Sequence, residues 1–143
     1  MSKIYFSLPI IPMALQTAGK RMVLVGGKPR FFKNPKAQAY LDAIEILAGA
    51  HRPPRPFAGA IRLDLTFVLP RPKRLLRRCD PDGLILHTSR PDRDNLIKGT
   101  QDGLSLAGFW LDDSQICMGE TQKFYAERGG QPRIFVMIEE VVL

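Results

Sequence analysis

At 143 residues and 45% hydrophobic content, the chain can build one real core, and global disorder is excluded. A formal net charge of +7 points to a polyanionic partner, nucleic acid before an anionic membrane surface. Two cysteines, Cys79 and Cys117, form neither a CxxC pair nor a zinc pattern with His51 or His87, so a disulfide framework and a zinc site are both excluded and a reduced, cytoplasmic setting is expected.

The chain opens with KIYFSL, which reads as a strand. Pro9 and Pro12 interrupt the apolar patches around it, so no signal peptide is expected, and no apolar run approaches the ~20 residues needed to cross a bilayer. RMVLVGGKPRFF predicts a hairpin, with Gly26 and Gly27 supplying the positive φ of a tight turn. A helix follows in NPKAQAYLDAIEILAGA. Asn34 suits its N-cap and Pro35 its first position, while Ala37, Tyr40, Leu41, Ile44, Leu47 and Ala48 recur at helical spacing up to Gly49. HRPPRPFAG is a stiff connector. AIRLDLTFVLP is the clearest strand, with Ile61, Leu63, Leu65, Phe67 and Leu69 on one face and Arg62, Asp64 and Thr66 on the other.

Residues 70–90 lack periodicity and predict a long basic loop, with a short helical turn at KRLLRR. A second helix is predicted over about Asn95–Ala107. SQICMGETQKFYAE and PRIFVMIEEVV then read as two strands joined at RGGQ as a closing hairpin. The expected fold is α+β: a small mixed or antiparallel sheet with two main helices, in a single domain over 1–143.

The acidic residues gather around the second helix. Plotted at 3.6 residues per turn, Leu96, Ile97, Thr100, Leu104 and Ala107 make the buried face, and Asp94, Lys98, Gln101, Asp102 and Ser105 the opposite one. Asp94 suits the N-cap, with Asp92 two residues earlier in an extended lead-in. Gly108 ends the helix, and Phe109, Trp110 and Leu111 read as core anchors. Asp112 and Asp113 point opposite ways in an extended chain; one can return to the pocket, and spacing does not say which. Carboxylates converging there would repel one another, a cost that a hard divalent cation such as Mg²⁺ removes. Lys98, one turn from Asp94, suits a phosphate or a developing charge. Each feature also has a plain structural explanation, as a cap, a surface ion pair or a solvated face. Cations surround the acids. Arg71, Lys73, Arg74, Arg77 and Arg78 lie in the loop, Arg90 and Arg93 flank Asp92, and Lys20, Arg21, Lys28 and Arg30 extend the track around the early hairpin.

The stretch RPDRDNLIKGTQDGLSLAGFWLDDSQI closely resembles the core motif of the RusA family of Holliday-junction resolvases. The match runs through Asp92, Asp94, Asn95, Leu96, Lys98, Asp102, Phe109, Trp110, Asp112, Asp113 and Gln115. The resemblance implies a small homodimer that hydrolyses phosphodiesters at four-way DNA junctions with Mg²⁺, or Mn²⁺ in its place, by paired symmetric cuts in DNA recombination and repair. It also implies metal-binding roles for Asp92, Asp94 and Asp113, an essential Lys98, and supporting roles for Asp102 and Asp112. The dimer surface is expected on the first strand and first helix. The 70–90 loop departs from the family pattern in its length and Pro-Arg richness. Two other classes stand beside this one: a non-catalytic basic DNA-binding module, and a metal-dependent nucleotide-sugar transferase using Asp92-x-Asp94, against which the short chain and the lack of a nucleotide-binding βαβ pattern count.

Overall fold

The computed structural model describes residues 2–15, 20–33 and 35–142. The elements in chain order are β1 (Ser2–Leu8), β2 (Lys20–Val25), β3 (Lys28–Lys33), α1 (Pro35–Gly49), β4 (Ala60–Leu69), β5 (Ile85–Leu86), α2 (Arg93–Ala107), β6 (Ile116–Met118), β7 (Thr121–Tyr125) and β8 (Arg133–Val141). Short 3₁₀ turns occupy Lys73–Leu75 and Asp113–Gln115. The fold is the α+β arrangement expected, two helices with a mixed sheet. The sheet runs β1-β8-β4-β7-β5, with β6 also alongside β4, and β2 and β3 form their own hairpin around Gly26 and Gly27.

Alternation on the strands and helical spacing on α1 and α2 fill one core. Phe6 and Leu8, Ile61 to Phe67 at every second position, and Ile134, Val136 and Ile138 meet Tyr40, Leu41 and Ile44 of α1 and Leu96 and Leu104 of α2. Burying each such Leu, Ile or Phe contributes about 1.5–3 kcal/mol, which sheet and helices gain only by packing on one another. β4 is central because both its neighbours reach it: β8 is antiparallel along its whole length, and β6 and β7 are parallel to it. A parallel return needs a long crossover, and the 70–90 segment with α2 supplies it.

Several expectations change. The closing pair is not a hairpin, since β4 lies between β7 and β8. SQICMGETQKFYAE breaks at Gly119, where φ is 145° and an added Cβ would stand 1.8 Å from the Leu63 carbonyl oxygen, so a continuous strand cannot pass. Asp92, not Asp94, holds the N-cap position of α2, because the helix begins at Arg93, three residues before its apolar face starts at Leu96. Leu111 is 69% exposed and Leu47 36%, so neither anchors the core, whereas Phe109 and Trp110 are buried. The helical turn at KRLLRR is a single 3₁₀ turn, and the basic loop also carries β5. The Asn34 cap lies outside the described residues. Among those residues no helix is long and apolar enough to cross a membrane.

Candidate active site

The start of α2 is the centre of the candidate site. Asp92 takes the extended N-cap geometry (φ −71°, ψ 149°), and its carbonyl accepts the Leu96 N–H at 3.2 Å. Its carboxylate, however, makes no cap hydrogen bond. Asp94 follows in the first turn, exposed, with Oδ1 accepting the adjacent Asn95 N–H at 3.0 Å. Lys98, one turn on, is exposed and makes no ion pair among the described residues. Asp102 lies on the same face, half-buried. β7 pins this region from beside it. Arg93 Nη1 donates to the Thr121 carbonyl at 3.2 Å, and Lys123 Nζ donates to the carbonyls of Ser89 and Pro91 at 2.6 and 2.7 Å. An open groove of about 530 Å³ runs between Arg93 and Ile97 on one side and Glu120, Thr121 and Gln122 on the other.

The second acidic pair is at the other end of α2. The Asp113 carboxylate accepts the Trp110 indole N–H at 2.9 Å and the Ser105 hydroxyl. Ser105 and Asp94 share a helix face, but roughly three turns separate them, about 16 Å of axis. Asp112 serves locally. It accepts the Ser114 N–H at 3.4 Å and the Ser114 hydroxyl, while Gln115 Oε1 accepts the Asp112 N–H at 2.8 Å, closing a capping box. The Ser114 hydroxyl holds the Asp112 carboxyl below its ordinary pKa. Gln115 also donates to the carbonyls of Phe57 and Gly59 at 2.8 and 2.9 Å, tying this turn to the entry of β4.

The structure therefore places Asp92, Asp94 and Lys98 along the first turns of α2, and holds Asp113 at the far end of that helix within one chain. Among the described residues no group of three or more His, Cys, Asp or Glu stands close enough to hold a metal. The Asp92–Asp94 pair fits a hard divalent cation as an exposed pair of oxygen donors. The three-acid set does not close in a single copy.

The basic candidates divide by what holds them. Arg71 is a scaffold: it donates to the Leu75 carbonyl at 2.8 Å, to Gly83 at 3.3 Å and to Pro81, so the loop wraps its guanidinium. Arg128, outside the expected set, does the same with Leu76, Arg77 and Asp80 at 3.0, 2.9 and 3.0 Å. Arg77 pairs with Asp80 at 3.4 Å, and Arg74 donates to the Tyr125 hydroxyl at 3.0 Å. Lys73, Arg78, Arg90 and Lys28 are exposed. The side chains of Lys20, Arg21 and Arg30 lie outside the described set. Sequence reading missed Lys123. A lysine in an ordinary strand pattern gives no local signal, and its role appears only when β7 lies beside the lead-in to α2.

The sheet is six-stranded and mixed, with two helices packed in its core and acidic residues at both ends of α2. The family described as Endodeoxyribonuclease RusA matches residues 9–139, nearly the whole chain. The chain belongs to that family of endodeoxyribonucleases. It is also similar to the Bacillus subtilis (strain 168) protein named "Uncharacterized protein YqaN", at 32% identity over 120 residues, which are 80% of this chain and 82% of that one.

Proposed function

We propose that this chain, acting as a single domain in each copy of a homodimer, is a divalent-metal-dependent endonuclease. It makes paired symmetric cuts in branched DNA, four-way junctions above all, in recombination and repair in the cytoplasm. The observation that carries the reading is the Asp92 carboxylate. It stands at an N-cap position yet caps nothing, beside exposed Asp94 and one turn from Lys98. A structural cap would be committed to the helix; this one is left for a ligand. Membership of an endodeoxyribonuclease family supports the same assignment.

Asp92 and Asp94 would hold the cation, Mg²⁺ or Mn²⁺. When bound, it supplies a polarised phosphate and a water of lowered pKa. Lys98 offers its charge to a phosphate oxygen, and exposed Lys73, Arg78 and Arg90 hold the backbone on either side. The distance from Asp94 to Asp113 brings the second copy into this reading. Two chains with α2 helices antiparallel about a two-fold axis set Asp113 of each beside Asp92 and Asp94 of the other. In this reading α2 forms the two-fold contact.

The test compares a mobile synthetic four-way junction with a linear duplex of the same sequence, with Mg²⁺, with chelator, and with Asp94→Asn. Paired nicks on the junction alone, lost with chelator and in the variant while binding persists, are expected. Tight binding with no cutting under any divalent metal overturns the reading in favour of a non-catalytic DNA-binding module. Turnover of nucleotide sugars would point to a transferase instead.

A further inference from the structure

We infer that Lys123 is a positioning residue for the acidic pair: its ammonium fixes the backbone that aims Asp92. The inference rests on the function proposed above. Lys123 is half-buried on β7 and far in sequence from the lead-in, yet its Nζ donates to both the Ser89 and the Pro91 carbonyls, at 2.6 and 2.7 Å. Its own carbonyl accepts the His87 N–H at 3.1 Å. One residue thus grips the 87–91 segment with main chain and side chain together.

The geometry gives this grip a purpose beyond general stability. Asp92 has no side-chain cap bond to fix it, so the placing of its carboxylate falls to its backbone. On its C-terminal side that backbone is held by the Leu96 N–H and by the bond from Arg93 to Thr121. On its N-terminal side the Pro91 carbonyl, the last acceptor before Asp92, is held by Lys123. A lysine is well suited to such a grip. Its three donors on a compact charge can meet two carbonyls at once, and charge-assisted bonds of this kind are shorter and stronger than neutral ones. The ladder of β7 needs none of this, since strand pairing uses main-chain groups. The side chain reaches off the strand only to the lead-in.

The test compares wild type with Lys123→Met and Lys123→Arg. It reads Mn²⁺ affinity of the chain alone from the free-ion electron paramagnetic resonance signal, and junction binding and kcat separately. Removing a group that orients a metal ligand typically costs about 10–100-fold in metal affinity or turnover. We expect Lys123→Met to weaken Mn²⁺ binding and lower kcat within that range, to leave junction affinity within about threefold, and Lys123→Arg, which keeps a charged donor, to recover part of both. Unchanged Mn²⁺ affinity and kcat in Lys123→Met overturn the inference. So does a parallel loss of junction binding, kcat and melting temperature that Lys123→Arg does not relieve. If wild type binds Mn²⁺ but cuts no DNA, the nuclease reading falls, while the difference in Mn²⁺ affinity still decides the role of Lys123.

Discussion

His87 is one of the few polar side chains inside the protein. It is 6% exposed, its ring lies 4.3 Å from that of Tyr125, and its Nδ1 has no hydrogen-bond partner among the described residues. Burial first, then the adjacent Lys123 charge, hold its pKa below the ordinary histidine value; Arg74, bonded to Tyr125, pushes the same way. A lowered pKa means that the unfolded chain takes up this proton before the folded one does. Stability is therefore full above the unfolded value of about 6.5 and falls as pH drops through it toward the folded value. Asp80, Asp112 and Glu127, all held low by hydrogen-bonding partners, act in the same direction but only once pH falls below the ordinary carboxylate range of about 4. A melting series between pH 7.5 and 5 is expected to show a falling Tm in wild type and a flatter profile in His87→Phe, which keeps the aromatic contact and loses the proton. Parallel profiles for the two chains would assign the slope to other groups.

At the scale of elements, the interlock of α1 and α2 sets where the acidic face points. Gly103 packs directly against α1: an added Cβ would stand 2.6 Å from Ile44 Cγ2 and 2.8 Å from its Cβ, on a branched buried side chain with little room to turn. Overpacking of this kind costs about 1–3 kcal/mol. Better helix propensity returns about 1 kcal/mol of it. Gly103→Ala is thus expected to lower the urea midpoint without changing the slope, and adding Ile44→Ala to relieve the clash, giving a favourable coupling in the double-mutant cycle. Additive losses would mean that the helices do not meet as described. The sequence spoke clearly for these two helices and for β4, because their periodicity runs over many residues. It spoke less well where pairing is decided at a distance. β7 and β8 read as a hairpin because they are adjacent and joined by a glycine turn, but whether β4 slips between them depends on partners absent from that local pattern. β5, two residues long, is too short to show a period. At the candidate site, the order of the acids along the chain was legible and their spacing in the fold was not. The motif orders Asp92, Asp94 and Asp113 along the chain, while the rise of α2 and the bonds from Trp110 and Ser105 carry Asp113 away from the others.

For the whole molecule, the proposed function makes dimerisation a condition of the chemistry and not only of symmetry, because Asp113 is held at the far end of α2 from Asp94. In the dimer proposed above, each chain supplies Asp92 and Asp94 to one site and Asp113 to the other. The claim can be tested with two inactive parents. Asp94→Asn and Asp113→Asn chains carrying different affinity tags are co-expressed, and the mixed dimer is purified through both tags. If each site is drawn from two chains, one site of the mixed dimer gathers both substitutions and the other gathers neither. The expected product is a junction nicked once, on one strand, with no paired resolution, while each parent homodimer binds the junction and cuts nothing. If each site lies within one chain, both sites of the mixed dimer carry a substitution, and it is as inactive as its parents. Single nicking by the mixed dimer would also explain why the Asp113 carboxylate is held by Trp110 and Ser105 at the far end of α2. In the proposed dimer it stands there for the site of the other copy.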